Sequence, residues 1–118
     1  MLSFACKSVR FDDLLKCSFD LNKTDYEIFL FLLDRKYIQK SGMTVNEIAK
    51  HLKKERTVIQ KSIKRLFEKN LIRRFQLNLE HGGYRFYYSV IDKKDVKNKM
   101  LKIINSWSSN VEAAITRW

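Results

Sequence analysis

The stretch MTVNEIAKHLKKERTVIQKSIKRLFEKNLI, Met43 to Ile72, decides how this chain is read. Thr44-Val45-Asn46-Glu47 is a capping box: the threonine hydroxyl accepts from the amide three residues on, and the glutamate reaches back to the threonine amide. Ile48, Ala49 and Leu52 give the short helix that follows its buried side. Lys53 and Lys54 form a turn. A longer helix starts near Glu55, whose carboxylate sits favourably among the free N–H groups of a helix start. Ile59, Ile63 and Leu66 then recur at spacings of four and three, flanked by Val58, Ser62 and Phe67, which makes one buried stripe. Asn70 stands where the chain must leave the helix, and asparagine tolerates the left-handed backbone needed there. Residues 50–74 carry ten Lys/Arg against two acids, net +8, whereas residues 1–49 balance seven against seven. Like charges packed into one segment repel each other; a polyanion across the contact explains them.

Upstream, Val9 to Phe19 reads as a short amphipathic helix with Phe11, Leu14, Leu15 and Phe19 on its apolar side. Asn22 or Thr24 opens a stronger helix, since each has an acid three residues on. Its IFLFLL run is apolar nearly all round and predicts a central helix covered on several sides. That helix should end near Lys36 or Tyr37, before a loop at Ser41-Gly42.

Downstream, from Ile72 to Val90, the period changes to two. Phe75, Leu77 and Leu79 alternate with Arg74, Gln76 and Asn78; after His81-Gly82-Gly83, Tyr84, Phe86, Tyr88 and Val90 alternate with Arg85, Tyr87 and Ser89. Two strands around a glycine turn make a hairpin. A two-residue turn on His81-Gly82 or on Gly82-Gly83 puts both apolar sets on one face, so the register stays open between them. Asp92, with Asp95 behind it, caps a last helix along which Val96, Met100, Ile103, Trp107, Val111, Ala114 and Trp118 recur, with Leu101, Ile104 and Ile115 widening the stripe. Ser106, Ser108, Ser109 and Asn110 weaken helix propensity midway, where a kink or break is expected.

The chain of 118 residues with 45% hydrophobic and 13% aromatic content has the composition of one globular domain. The longest apolar run, Ile28 to Leu33, falls well short of the roughly 20 residues that cross a bilayer. Cys6 and Cys17 form no C-x-x-C pattern, so buried or half-buried thiols in a reducing cytoplasm are expected. The acids are scattered, the two histidines lack partners at useful spacing, and no glycine-rich phosphate loop exists. These features predict a cytoplasmic, non-enzymatic protein without cofactor or metal.

The order is helix, helix, two helices joined by a turn, hairpin, long helix: mainly α with a two-stranded β-hairpin wing. It resembles a winged helix-turn-helix transcriptional regulator of the MarR-like group, and in particular the short, single-domain members of the archaeal TrmB-like family. The motifs that carry the resemblance are Leu21-Asn22-Lys23-Thr24-Asp25, Thr44-Val45-Asn46-Glu47-Ile48-Ala49, and the run from Glu55 to Ile72. Glu55 departs from the family's small hydroxyl cap, and Asn70 from its glycine. The family's ligand-binding domain after the wing has no room here, which argues against sugar sensing. The resemblance implies a single domain, 1–118, with a winged core at 21–90, an N-terminal helical segment at 1–20 and a dimerisation helix at 92–118.

If Ile59, Ile63 and Leu66 face inward, the helix of residues 55–69 presents Arg56, Thr57, Gln60 and Lys61 to base edges in a major groove of double-stranded DNA. Lys53, Lys54, Lys64, Arg74, Arg85 and His81 are the expected backbone contacts, the last two or three through the wing. A solvated helix face would also carry lysines and glutamine; the capping box before it and the hairpin after it favour DNA. Tyr84, Phe86 and Tyr88 are expected in the core and not as a stacking platform. A homodimer is expected through Phe11, Leu14, Leu15, Val96, Met100, Ile103, Trp107 and Val111, because so long an apolar stripe is unusual on a monomer. The alternative is a winged-helix module that grips protein or RNA in transcription assembly.

Overall fold

In the computed structural model, which describes residues 2–36 and 41–118, the chain runs through β1 (Leu2–Phe4), β2 (Lys7–Val9), α1 (Phe11–Ser18), α2 (Lys23–Arg35), α3 (Val45–Leu52), α4 (Arg56–Glu68), β3 (Ile72–Asn78), β4 (Tyr84–Val90) and α5 (Lys93–Arg117). The fold is mainly α-helical, with an antiparallel two-stranded wing and a long C-terminal helix. It divides into two units: residues 22–91, and the two ends of the chain up to Leu21 and from Asp92. Among the described residues, no helix is long and apolar enough to cross a membrane.

The unit of residues 22–91 begins at Asn22, whose side chain accepts from the Asp25 amide at 2.8 Å and so caps α2. Ile28, Phe29 and Leu32 of α2 are buried. The helix ends at Arg35 with Lys36 as its cap, and the alternative end at Tyr37 lies outside the described residues. The capping box of α3 forms as the spacing predicts: Glu47 N–H donates to Thr44 Oγ1 and Thr44 N–H to Glu47 Oε1, each at 3.2 Å. Lys53 closes α3 in the left-handed conformation, φ 54°. Asn70 does the same after α4 at φ 59°. Ile59, Ser62, Ile63 and Leu66 form the buried side of α4, whereas the flanking Val58 and Phe67 stay exposed.

The wing differs from its expected phase. Its loop is five residues, Leu79 to Gly83, closed by Leu79 N–H to the Gly83 carbonyl and Gly82 N–H to the Leu79 carbonyl. An odd loop reverses the parity of the pairing. Phe75 lies opposite Tyr87 and Leu77 opposite Arg85, while Arg74 faces Tyr88 and Gln76 faces Phe86. The two apolar sets therefore occupy opposite faces. Phe75, Leu77 and Tyr84 are exposed at 48%, 53% and 56%, and Phe86 and Tyr88 are half-buried, so these rings are not the core positions that alternation alone suggests. Only the root of the wing, Ile72 with Ser89 and Val90, is buried.

That root is anchored by a contact the sequence gives no sign of. Met43 N–H donates to the Tyr88 carbonyl and Tyr88 N–H to that of Met43, at 2.9 and 2.8 Å, tying the segment before α3 to β4. Gly42 makes the approach feasible. A Cβ there would stand 2.6 Å from the Tyr88 oxygen, and its φ of +83° suits glycine.

The unit made by the chain's ends holds a short hairpin, β1 paired with β2, before α1. Three-residue strands leave too little alternation to be seen in sequence. Leu15, Phe19, Leu21, Val96 and Met100 are buried. The expected kink near Ser106 to Asn110 is absent: α5 is continuous over 25 residues, roughly 37 Å. Leu101 is 59% exposed and does not widen a buried stripe. Cys6 and Cys17 are both exposed, against the expectation of covered thiols.

Candidate nucleic-acid interface

With Ile59, Ile63 and Leu66 inward, the 3.6-residue turn sends Arg56, Gln60 and Lys64 toward the wing and Thr57 and Lys61 straight outward. Arg56, Gln60 and Lys64 line a groove of about 670 Å³ whose other walls are the start of α3 (Thr44 to Glu47) and the wing residues Arg74, Tyr84, Arg85 and Phe86. Four cationic side chains meet there with one carboxylate, Glu47. Thr57 and Lys61 are exposed beside this groove without lining it.

The wing's inner face is built around Arg74. Its guanidinium lies 4.4 Å from the Phe86 ring centre and 5.1 Å from that of Phe67 on α4. Tyr84 packs edge-on against Phe86 at 5.0 Å. The positive charge over two ring faces fixes Arg74 between helix and wing. Alternation assigned Arg74 to the same face as Arg85; the register separates them, although Arg85 still reaches the groove.

The remaining basic positions scatter. Lys53 is exposed at the α3 end and His81 at the wing tip. Lys54 pairs with Glu27 of α2 at 3.4 Å, which offsets part of its charge. On the other apolar surface, Leu15, Val96 and Met100 are already buried within one chain and Leu14 is half-buried, whereas Phe11, Ile103, Trp107 and Val111 are exposed.

One element that orients the site escaped sequence reasoning. Asp25 of α2 is 1% exposed and accepts from Arg65 of α4: Nε–H at 3.1 Å to either oxygen and Nη2 at 2.8 Å to Oδ1. Arg65 Nη2 also donates to the buried Ser62 hydroxyl at 3.0 Å. Burial alone would raise the Asp25 pKa, but the hydrogen bonds from Arg65 and Ser62 and the Arg65 charge outweigh it and hold the carboxyl below its ordinary value. The pair joins α2 to α4 across 40 residues. Asp25 shows in sequence only as a helix-start acid, and Arg65 as one more cation in a basic run.

Comparison with known proteins agrees with this architecture. The profile of the DnaD N-terminal domain family matches residues 11–111. The solved structure of a possible transcriptional regulator from Methanosarcina mazei Go1 superposes with a TM-score of 0.90 at 30% identity, covering 100% of this chain and 96% of that one. The uncharacterized protein MJ1503 of Methanocaldococcus jannaschii is 26% identical over 113 residues, 95% of this chain and 81% of its own. The MepR–DNA complex of S. aureus gives a TM-score of 0.57 at 17% identity, over 89% of this chain and 75% of that one, a likeness of fold. What the chain shares with that complex's protein is thus the winged helix-turn-helix fold. This chain belongs to the DnaD N-terminal domain family.

Proposed function

We propose that the protein is a sequence-specific, double-stranded DNA-binding transcriptional regulator acting as a homodimer. The observation that carries this reading is the groove between α4 and the wing, where Arg56, Lys64, Arg74 and Arg85 face a single carboxylate. Such one-sided charge attracts a polyanion and releases its counterions on contact. The M. mazei relative, a possible transcriptional regulator, and the DNA-bound MepR support the reading.

In it, α4 enters the major groove. Arg56 and Gln60, with Thr57 and Lys61 beside them, read base edges: arginine donates to guanine, and the glutamine amide matches adenine. Lys53, Lys64, Arg74, Arg85 and His81 meet phosphates along the turn and wing, and Lys54 contributes less because it is paired with Glu27. Two copies place their α4 helices about 34–36 Å apart in successive major grooves. Phe11, Ile103, Trp107 and Val111 supply the exposed apolar surface for that pairing. Sequence selection from random duplexes tests the reading. It should enrich a near-palindrome with half-sites about one helical turn apart. Binding that enriches no motif, or a protein partner held at salt that abolishes DNA binding, would favour an adaptor module.

A further inference from the structure

We infer that Glu47 is a specificity residue: its carboxylate accepts a hydrogen bond from a cytosine amino group and disfavours duplexes that lack one at that position. The inference rests on the DNA-binding reading above and adds a residue to it. Among the described residues, Glu47 is the one carboxylate lining the groove that also holds Arg56, Gln60, Lys64, Arg74 and Arg85. Among the same residues it is in an ion pair with none of those cations. Its Oε1 accepts from Thr44 N–H at 3.2 Å and from the Thr44 hydroxyl at 3.0 Å. Both contacts use the same oxygen, which leaves Oε2 for a donor from outside.

The capping box accounts for a side-chain oxygen at this position and not for its charge. Glutamine completes the same box through its amide oxygen. The helix start favours a negative charge there, but only modestly and within the first turn. Against that stands the cost of a fixed anion where phosphates must approach. A groove that served duplexes of any sequence would bind them better with glutamine. The carboxylate is explained if the bound site supplies a donor that duplexes in general do not.

The major-groove edge of each base decides which donor fits. Guanine offers N7 and O6, and thymine O4, all acceptors that repel a carboxylate. Adenine offers its N6 amino group, but with the N7 acceptor beside it. Cytosine offers its N4 amino group with no acceptor alongside, so it is the base that a lone carboxylate oxygen takes. The Thr44 contacts hold the carboxylate in place before DNA arrives, so little freedom is lost on contact. Arg56 and Gln60 line the same groove. Glu47 adds an acceptor to their donors and gives α3 a part in a readout otherwise confined to α4.

The test is Glu47→Gln in the full chain, which keeps the cap and removes the charge. Affinity is measured on the site that the wild type selects and on random duplex. Random-duplex affinity should rise about fivefold as the repulsion of phosphates goes. Selected-site affinity should stay within about twofold, because the lost repulsion and the weakened amino contact offset each other. A second measurement replaces each C·G pair of the selected site in turn. At one cytosine the replacement should cost the wild type about tenfold and the variant less than about threefold. An equal rise on both DNAs with unchanged base preference would make Glu47 a general electrostatic brake. No change on either would leave it a helix cap. Each of those results overturns the inference while the DNA-binding reading stands. A wild type that selects no site would overturn both.

Discussion

The helix pair α3–α4 and the wing β3–β4 border the same groove, yet they hold their shapes by opposite means. The helices close on near neighbours: Thr44 on Glu47, Lys54 N–H on the Ala49 carbonyl, Leu71 N–H on the Leu66 carbonyl. The side a residue faces is then set by residues three or four away. The wing closes on partners up to 18 residues apart, Ile72 with Val90, and its faces depend on how many residues its loop holds. A helix tolerates an ambiguous end without turning its buried face outward. A hairpin with one residue more or less in its loop turns the side chains of one strand over relative to those of the other.

The largest expected effect concerns the buried long-range tie on the helical side, Asp25 with Arg65. Arg65→Ala leaves the buried Asp25 carboxylate without its counter-charge; with Arg65 itself 39% exposed, the loss should be about 2–3 kcal/mol in urea denaturation. A loss under about 0.5 kcal/mol would show that α4 needs no such anchor. The pair also sets an acid response. Because the folded-state pKa of Asp25 is depressed, its contribution is present above the unfolded value of about 3.9 and disappears as pH falls through the lower folded value. Wild-type stability should therefore fall more steeply than that of Asp25→Asn below about pH 4.

The next test strikes the wing's anchor. Gly42→Ala forces a Cβ against the Tyr88 carbonyl at a positive φ and should cost about 2 kcal/mol, more than the usual glycine-to-alanine change. A neutral outcome would mean that the Met43–Tyr88 pairing does not hold β4. Phe86→Ala should cost about 1–2 kcal/mol, below the ~3–5 kcal/mol of a fully buried ring, because Phe86 is half-buried against Arg74. A loss above about 3 kcal/mol would return that ring to the core. The smallest effect belongs to the local device: Thr44→Ala removes one cap of α3 and should cost about 1 kcal/mol, with the wing's cross-strand NMR contacts unchanged.

This contrast explains what could be read in the sequence. The capping box, the buried stripe of α4 and the left-handed Asn70 are properties of four- or five-residue windows and were legible. The wing's existence was legible from the change of period at Ile72, but not its phase: Gly82 and Gly83 look like a two-residue turn, and the loop extends from Leu79. Within the candidate site, Arg56, Gln60 and Lys64 follow from helical geometry. Phe67 and Phe86 enter only through Arg74, which lies between them in space and not in sequence. Asp25 and Arg65, 40 residues apart, leave no periodic trace.

The central claim is that α4 reads bases while the surrounding cations only hold the backbone. It is tested most directly by measuring Arg56→Ala and Gln60→Ala on the selected site and on random duplex, across a range of salt. The account predicts a loss of about 1–3 kcal/mol on the selected site and much less on random DNA. Lys64→Ala should weaken both alike and lower the salt slope by about one unit. Equal losses on both DNAs for Arg56→Ala and Gln60→Ala would contradict it.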